Sequence, residues 1–284
     1  MSMTLYRTSA FAYKNQGGNE AGVVFDTEHL NEASMLKIAA QVGYSETAFL
    51  FESDVADYKL RYFTPTTEVP ICGHATIATF NLMRNLGHLS PKIVTVETKA
   101  GIFPVRIEAS RVCLTLPNAI YEGHTHYETI AQYLELDQNE LLEYPLDIVS
   151  TGIKALYIGF KTLTYLHSFN PAVSSLIALS KHLNIEGIYC YTLDTDDPTH
   201  DVQSRNFMPV LGIDEESATG TAAGAMASYL NRYILPHKTQ FMIEQGYSMN
   251  KPSLIYASTE PFISVGGQMR FIDKIIGFSV DHDE

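Results

Sequence analysis

One element of this sequence occurs twice, half a chain apart, and this duplication constrains the fold more than any other feature. Each copy reads R-x-F-x-P, continues through a short loop, and enters an apolar helix with the pattern G-x-A-x-x-A. The copies are Arg61-Tyr-Phe63-Thr-Pro65 with Gly73-His-Ala75-Thr-Ile-Ala78, and Arg205-Asn-Phe207-Met-Pro209 with Gly220-Thr-Ala222-Ala-Gly-Ala225. A chain of 284 residues has room for two domains, so we expect one copy in each half.

Most of the remaining sequence predicts β-strands, because short runs rich in Val, Ile, Tyr, Phe and Thr alternate with turn residues. Helical patterns are fewer, and they cover residues 31–41, 75–86, 125–134, 171–183 and 222–234. The two repeated helices are rich in Ala, Gly, Ser and Thr, which allows close packing inside a curved sheet. The sequence therefore predicts an α+β fold of two similar domains, each a curled, mostly antiparallel sheet around a central helix.

The predicted linker is the segment Pro117-Asn-Ala119, because a predicted strand ends there and a predicted helical segment follows. The predicted domains are residues 1–117 and 118–265, with the C-terminal tail, about 266–284, able to join the N-terminal half. Two helix starts also carry local signals: Asn31 is an expected N-cap, and Asn170 before Pro171 suggests a cap followed by proline.

Composition excludes several classes of partner. The net charge of −13 argues against nucleic acid and anionic membranes, because the chain carries no basic stripe to neutralise phosphates. The three cysteines form no metal-binding or disulfide spacing, which suits a reducing compartment. No signal peptide and no membrane-length apolar run is visible, so we expect a cytoplasmic protein without a membrane partner.

The two glycine loops predict an anion site. A helix N-terminus presents free backbone N–H groups and about half a unit of positive charge, and glycine lets a ligand approach the backbone closely. Gly73 and Gly220 lie at these helix starts, and the hydroxyls of Thr219 and Thr221 are expected to add donors. The alternative is that both loops are only tight helix starts at an interface.

Several titratable residues lie near these loops. His74 follows Gly73 and is expected to be neutral at a helix N-terminus, where it can exchange a hydrogen bond with a reacting group. Glu216 precedes the second loop, and Glu68 the first; either acid can instead cap a turn. Glu46 lies in an apolar strand segment, and periodicity alone favours a solvent-facing side chain over one held in a cleft.

Taken together, several motifs resemble the PhzF-like family of phenazine biosynthesis. The motifs are Tyr44-Ser-Glu46-Thr-Ala-Phe49, Phe63 to Thr76 with its Cys72-Gly73-His74 core, Glu216-Ser-Ala-Thr219-Gly220-Thr221-Ala222, Phe241 to Gly246, and Lys251-Pro252-Ser253. They are spread over nearly the whole chain, and their combination is specific.

The resemblance implies the diaminopimelate epimerase fold, with the site in the cleft between two domains. It also implies an isomerase that moves a proton without metal or organic cofactor. The family's catalytic glutamate falls on Glu46, which reverses the solvent-facing expectation, and its histidine falls on His74. Its second acid falls on Glu216, here followed by Ser217 where the family usually has Asp-Pro. Glu20 likewise replaces a usual proline after Asn19.

We therefore expect a cofactor-independent isomerase that acts on a small anionic metabolite, a carboxylate of the cyclic or conjugated amino acid type. Glu46 is the expected general acid/base, with His74 and Glu216 as further catalytic residues. The expected substrate-binding residues are Asn19, Cys72, Gly73, Ala75, Thr219, Gly220 and Thr221. The resemblance also suggests a homodimer, and no metal site is expected.

Two alternatives stay open. The first is an amino-acid epimerase or racemase that uses Cys72. Related epimerases place one cysteine at each glycine loop, but Thr219 occupies the second position here, and its hydroxyl does not replace a thiol acid. The second alternative is a non-catalytic protein of the same fold that binds a metabolite or interacts with a partner, which the altered Glu20 and Ser217 support.

Overall fold

A computed structural model describes residues 3–278 of the chain, which has an α+β fold of mixed sheets with few helices. Its contacts divide the chain into two compact units. The first comprises the residues up to Thr115 together with those from Gly266 onward, and the second comprises Leu116–Val265. Within the described residues, every helix is too short or too polar to cross a membrane.

The elements are numbered in chain order. The first unit begins with β1 (Met3–Ala10), β2 (Asn19–Val24), α1 (Glu32–Val42), β3 (Glu46–Phe51), β4 (Tyr58–Phe63), β5 (Glu68–Val69), α2 (Gly73–Asn85), β6 (Lys92–Thr98), β7 (Gly101–Ile107) and β8 (Val112–Thr115). The second unit contains β9 (Ile120–Thr125), α3 (Tyr127–Ile130), β10 (Leu146–Ser150), β11 (Lys154–Phe160), α4 (Leu163–Ser168), α5 (Val173–Leu183), β12 (Gly187–Thr192), β13 (Val202–Met208), β14 (Ile213–Glu216), α6 (Gly220–Tyr233), β15 (Gln240–Gln245) and β16 (Ser253–Ser258). The last two strands of the described residues are β17 (Ser264–Gly267) and β18 (Met269–Phe278).

The two units repeat one order of strand pairing. In the first, β1–β2, β3–β4 and β6–β7 pair antiparallel, whereas β2–β3 and β4–β6 pair parallel. In the second, β10–β11, β12–β13 and β15–β16 are antiparallel, and β11–β12 and β13–β15 are parallel. A parallel pair needs a crossover connection, which is why a helix lies between the two strands of each parallel pair.

The sheet of the first unit is covered by a helix on each face. Helix α1 begins at the predicted N-cap Asn31, whose side chain accepts a hydrogen bond from the Ser34 N–H. Its apolar stripe packs with Phe49 and Phe63 in one core cluster. Helix α2 packs against β1, β2, β3, β7, β8 and β18, and ten of its 13 residues are buried. Small residues make such deep burial of a helix possible.

The second unit follows the same plan. Helices α3, α4 and α5 contribute apolar residues to a core cluster that includes Phe160, Ile188 and Phe207. Helix α6 packs against β10, β11, β15 and β16, and nine of its 14 residues are buried. Gly224 of α6 has no room for a side chain, because an added Cβ would lie 2.5 Å from Leu116 Cδ1.

Several local predictions need correction. Helix α5 starts at Val173 with Ala172 as its N-cap, so the predicted start at Asn170 and Pro171 is wrong. The predicted helix 125–134 contains a regular helix only at Tyr127–Ile130, and strand β9 lies before it. The short strands β5 and β14 were not predicted, because two to four residues are too few to show a periodicity.

The repeated R-x-F motif forms the same structure in both units. Arg61 donates from Nε and Nη2 to Glu68 at 2.8 and 2.7 Å, and its guanidinium lies 5.1 Å from the Phe63 ring centroid. Arg205 donates likewise to Glu215 at 2.9 and 2.8 Å, and lies 4.8 Å from the Phe207 ring. Each arginine therefore ties a core strand to the short strand that leads into the central helix.

Arg205 also makes hydrogen bonds to the main chain. Its Nη1 donates to the main-chain oxygens of Leu166, at 3.0 Å, and Phe169. These carbonyls belong to the C-terminal end of α4, where helix oxygens lack intrahelical partners. Arg205 is also more buried than Arg61, since its side chain is 8% exposed and that of Arg61 is 22% exposed.

This difference predicts unequal costs for two equivalent substitutions. Arg205→Ala removes the arginine donors from two carbonyls at the end of α4 and from the Glu215 carboxylate, which keeps the Ser248 hydroxyl as a donor, so we expect it to lower the free energy of unfolding by about 3–5 kcal/mol. Arg61→Ala removes a more exposed arginine and leaves the Glu68 carboxylate paired with Lys99, so it should cost about 1 kcal/mol. Urea unfolding of both variants measures the difference, and equal losses would contradict the role assigned to Arg205.

Candidate active site

The first candidate site forms where two strands and a helix begin. Strands β2 and β3 run parallel, with Ala21 paired to Glu46, so both strands start at the same edge of the sheet. Asn19 opens β2, Glu46 opens β3, and Gly73 opens α2. Three predicted site residues therefore lie together because of the strand register.

The Glu46 side chain faces α2, not solvent. Side chains alternate along β3, and Phe49 faces the α1 side. Glu46 and Ala48 must then point to the opposite side. The Glu46 side chain is 17% exposed, and its Oε2 lies 3.2 Å from His74 Nε2. The solvent-facing expectation from periodicity was wrong because helices cover both faces of this strand.

Glu46 Oε2 is nevertheless not satisfied by a hydrogen bond. The atom is buried, and no donor among the described residues meets it with hydrogen-bond geometry. The short distance to His74 Nε2 is therefore a close approach without proper alignment. A buried carboxylate oxygen without a donor is costly, and such costs are typical of sites that complete themselves with a ligand or a proton.

His74 is the centre of the cluster. The residue is 7% exposed. Its Nδ1 lies 3.4 Å from Cys72 Sγ and 3.4 Å from Asn19 Nδ2. Ser45 Oγ lies 3.5 Å from Nε2. Ser45 was not predicted as a neighbour of the site, although it directly precedes Glu46 in the family-like motif.

The start of α2 has no side-chain cap. Cys72 is the N-cap, but its side chain makes no capping hydrogen bond, in contrast to Asn31 at the start of α1. The first N–H groups of a helix have no intrahelical acceptor. Gly73 adds no side chain over them, and Ala75 is fully buried beside them.

A buried tyrosine, Tyr62, is hydrogen-bonded to the first turn of α2. Tyr62 lies 2.6 Å from Thr76 Oγ1, and the Thr76 hydroxyl donates to the Cys72 carbonyl at 2.7 Å. Burial raises the pKa of Tyr62 well above its ordinary value, so the phenol stays neutral and acts as a donor. Tyr62 is the middle residue of the first R-x-F motif, so alternation directs it toward α2 while Arg61 and Phe63 point the other way.

The second unit builds a related but closed cluster around Thr219. The Thr219 hydroxyl donates to Glu216 Oε2, and it accepts from Asn206 Nδ2 at 3.0 Å and Gln245 Nε2 at 3.1 Å. The Gln245 amide also accepts from the Thr219 N–H at 3.1 Å. The expectation that this hydroxyl adds a donor for an anion is wrong, because its proton is committed to Glu216.

Asn206 and Gln245 were not predicted as site residues. Asn206 occupies the middle of the second R-x-F motif, in the position equivalent to Tyr62, so the strand period could have identified it. Gln245 precedes Gly246, whose φ of +81° excludes most side chains. An added Cβ there would lie 2.4 Å from the Lys251 oxygen and 2.6 Å from the Ser217 oxygen.

The rest of the second helix start resembles the first. Thr219 makes no side-chain cap to α6, so the first N–H groups of the helix, beginning at Gly220, have no cap from that side chain. Thr221 is half-buried, and its carbonyl accepts from the Thr151 hydroxyl at 2.8 Å. Glu216 lies three residues before Thr219 and accepts a hydrogen bond from the threonine hydroxyl.

Two other acids lie outside these clusters. Glu68 pairs with Arg61 and Lys99, and these donors hold the pKa of its carboxyl below the ordinary value. Its side chain therefore serves the arginine pair and does not cap the glycine loop. Glu20, which replaces the proline usual in the family, lies near Arg7 and Tyr44.

Comparisons with known proteins agree with the fold and motifs. The model of the phenazine biosynthesis-like protein family, PhzC-PhzF, matches residues 8–273. A Clostridium acetobutylicum protein described as an uncharacterized isomerase is 33% identical over 266 residues, or 88% of each chain. A crystal structure of a Bacillus anthracis phenazine biosynthesis protein of the PhzF family gives a TM-score of 0.89 at 28% identity, covering 98% of this chain and all of that one.

A more distant likeness concerns the fold alone. A hydroxyproline epimerase from Agrobacterium vitis gives a TM-score of 0.60 at 12% identity, covering 98% of this chain and 96% of that chain. The mixed sheets with few helices and these neighbours define an α+β protein of the epimerase-like fold class. Within that class, the chain belongs to the phenazine biosynthesis-like PhzC-PhzF family, and relatives named as isomerases make it an enzyme of the isomerase class.

The Thr219 cluster can be tested by one pair of substitutions. Thr219→Val removes a hydroxyl that serves two donors and one acceptor, so we expect a loss of about 2–3 kcal/mol in the free energy of unfolding. Thr219→Ser keeps the hydroxyl and should lose less than about 1 kcal/mol. Thermal and urea unfolding provide the comparison, and a valine variant as stable as the serine variant would show that the cluster is not formed.

Proposed function

We propose that the protein moves a proton on a small carboxylate substrate of the cyclic or conjugated amino acid type, with Glu46 as the general acid/base. The observation that carries the proposal is the Glu46 carboxylate at the start of α2: one of its oxygens is buried 3.2 Å from His74 Nε2 and has no hydrogen-bond donor among residues 3–278. A mostly buried acid beside a histidine at a helix N-terminus is suited to proton transfer.

In this proposal Glu46 removes a proton from one carbon and returns it to another on the same side of a conjugated system. Negative charge develops on the substrate in between. The N-terminal N–H groups of α2 are fixed dipoles that stabilise such charge without rearranging. The Glu46 side chain is 17% exposed, and a substrate can contact it through this exposed part.

We propose that the substrate carboxylate binds N–H groups near Gly73 and near Gly220 and Thr221. The support is chemical: both helices begin with glycine, and neither N-cap side chain occupies the N–H groups. An anion is the natural ligand for such ends. This arrangement requires one substrate to reach both helix starts, in the cleft that the family resemblance implies.

His74 and Glu216 receive different roles. His74 contacts Glu46 directly and can share its proton or hold its carboxylate in place. Glu216 contacts Thr219 and therefore acts as a positioning residue for the second loop unless the substrate displaces that hydrogen bond. Asn19 lies against the imidazole and is proposed to orient the ring or the ligand.

A second candidate is an epimerase that uses Cys72. It is favoured by one observation, the 3.4 Å approach of Cys72 Sγ to His74 Nδ1, because an adjacent base activates a thiol. The equivalent position in the second unit lacks a second thiol, because it holds Thr219, whose hydroxyl donates a hydrogen bond to Glu216. A transfer on one side of the substrate therefore fits the residues better than inversion by two opposed groups.

Solvent deuterium exchange tests the proposal across a panel of candidate acids. Purified protein in D₂O is incubated with small cyclic and conjugated amino acids and hydroxy acids, and the products are examined by mass spectrometry and NMR. We expect deuterium incorporation or double-bond migration with at least one acid. Glu46→Gln should reduce the rate by about 10²–10⁴-fold while ligand binding persists.

Cys72→Ser is the matched variant. A proton shift through Glu46 should survive this substitution within about tenfold, whereas a Cys72-based epimerase should lose inversion at carbon. Near-normal turnover by the Glu46→Gln variant would eliminate Glu46 as the base. Binding of an acid without any exchange across the whole panel would favour the non-catalytic alternative.

A further inference from the structure

Three side chains at the start of α2 bring different ligand atoms together. Glu46 offers a carboxylate oxygen, Cys72 a thiol sulfur and His74 a ring nitrogen, and these atoms all lie within 4.8 Å of one another. We propose that these residues bind a thiophilic divalent cation of the zinc type, and that such a cation blocks the site.

The three ligand atoms lie near the spacing of tetrahedral coordination. With metal bonds of about 2.3 Å to sulfur and about 2.0–2.1 Å to nitrogen and oxygen, tetrahedral ligand atoms stand roughly 3.3–3.6 Å apart. His74 Nε2 lies 3.2 Å from Glu46 Oε2 and 3.8 Å from Cys72 Sγ. All three atoms reach one ion after side-chain rotation, because Cys72 Sγ now lies nearer to His74 Nδ1, at 3.4 Å, than to the Nε2 atom that faces Glu46.

The state of Glu46 points to the same ligand. Its Oε2 is buried and has no hydrogen-bond donor among the described residues. The nearest polar atom, His74 Nε2, approaches without hydrogen-bond alignment. A cation between the two atoms satisfies both, because each supplies a lone pair and neither needs to donate a proton.

The mixture of donor atoms selects the class of metal. Sulfur and imidazole ligands favour zinc and similar ions, whereas magnesium and calcium require oxygen ligands. Three protein ligands leave a fourth position open, as in sites that bind an exchangeable ligand. The Asn19 amide lies 3.4 Å from the other ring nitrogen Nδ1, and with its Oδ1 turned to the ring it accepts the Nδ1 proton and orients the imidazole from outside the coordination sphere.

The remaining cysteines are poor competitors. All three cysteines are buried. For Cys113 and Cys190, burial raises the pKa of the thiol, which disfavours the thiolate that a metal needs. Cys72 is the cysteine that lies beside a histidine and a carboxylate in this cluster, so thiolate–metal bonding is expected there.

Cation binding rests on the geometry of the cluster alone, whereas inhibition rests on the proposed function of Glu46. A bound ion occupies the lone pairs that Glu46 needs to accept a proton, and it fixes His74 as a ligand. Zinc and cadmium should therefore inhibit turnover in competition with substrate, and a chelator should restore it.

The test is a titration of the metal-free, full-length protein with Cd²⁺, followed by the ultraviolet charge-transfer band of a cadmium thiolate. We expect one equivalent to bind, and Co²⁺ should give the visible spectrum of a tetrahedral thiolate site. Cys72→Ser should remove the band, and His74→Gln should weaken binding more than about 100-fold. Asn19→Ala should weaken it by only about 10–100-fold, as for an outer-sphere partner.

Cys113→Ser is the matched control and should bind Cd²⁺ like the unmodified protein, while Mg²⁺ should give no response. Circular dichroism checks that each variant is folded. No charge-transfer band, or a band that persists in the Cys72→Ser variant, would overturn the proposal. The charge-transfer band reports metal binding without any need for turnover. The metal site and the proposed reaction are therefore tested independently.

Discussion

The close approach of Glu46 and His74 depends on one constraint, the burial of helix α2 against its sheet. Because ten of the 13 helix residues are buried, the helix start lies at the edge where β2 and β3 begin. The N–H groups, the imidazole and the carboxylate then meet in one place. A helix with large side chains could not pack so closely, which explains the run of small residues after Gly73.

The duplication shows how one scaffold holds two different helix starts. In both units the arginine of R-x-F pairs with an acid five residues before the loop glycine, and the phenylalanine packs in the core. The middle residue faces the helix, and here the units differ. Tyr62 supports the first helix through Thr76, whereas Asn206 bonds directly to Thr219. The first helix start has titratable side chains and no side-chain cap, whereas the hydroxyl at the second helix start is hydrogen-bonded within the protein.

Much of this could be predicted from the sequence, for physical reasons. Period-two apolar runs predict the strands, and the small-residue stretches after Gly73 and Gly220 predict the buried helices. The direction of Glu46 could not be obtained from periodicity, because helices cover both faces of β3. The bonds of Thr219 were also not foreseeable, since they depend on Asn206 and Gln245, which a parallel strand pair brings close together from distant parts of the sequence.

The most direct measurement of the central claim is a crystal structure of the protein with a bound small amino acid carboxylate. The account predicts that the ligand carboxylate accepts hydrogen bonds from backbone N–H groups at the start of α2. It also predicts that a Glu46 oxygen lies within about 3.5 Å of a ligand carbon that carries an acidic proton. A ligand bound away from Glu46, or a Glu46 carboxylate turned into bulk solvent, would contradict it.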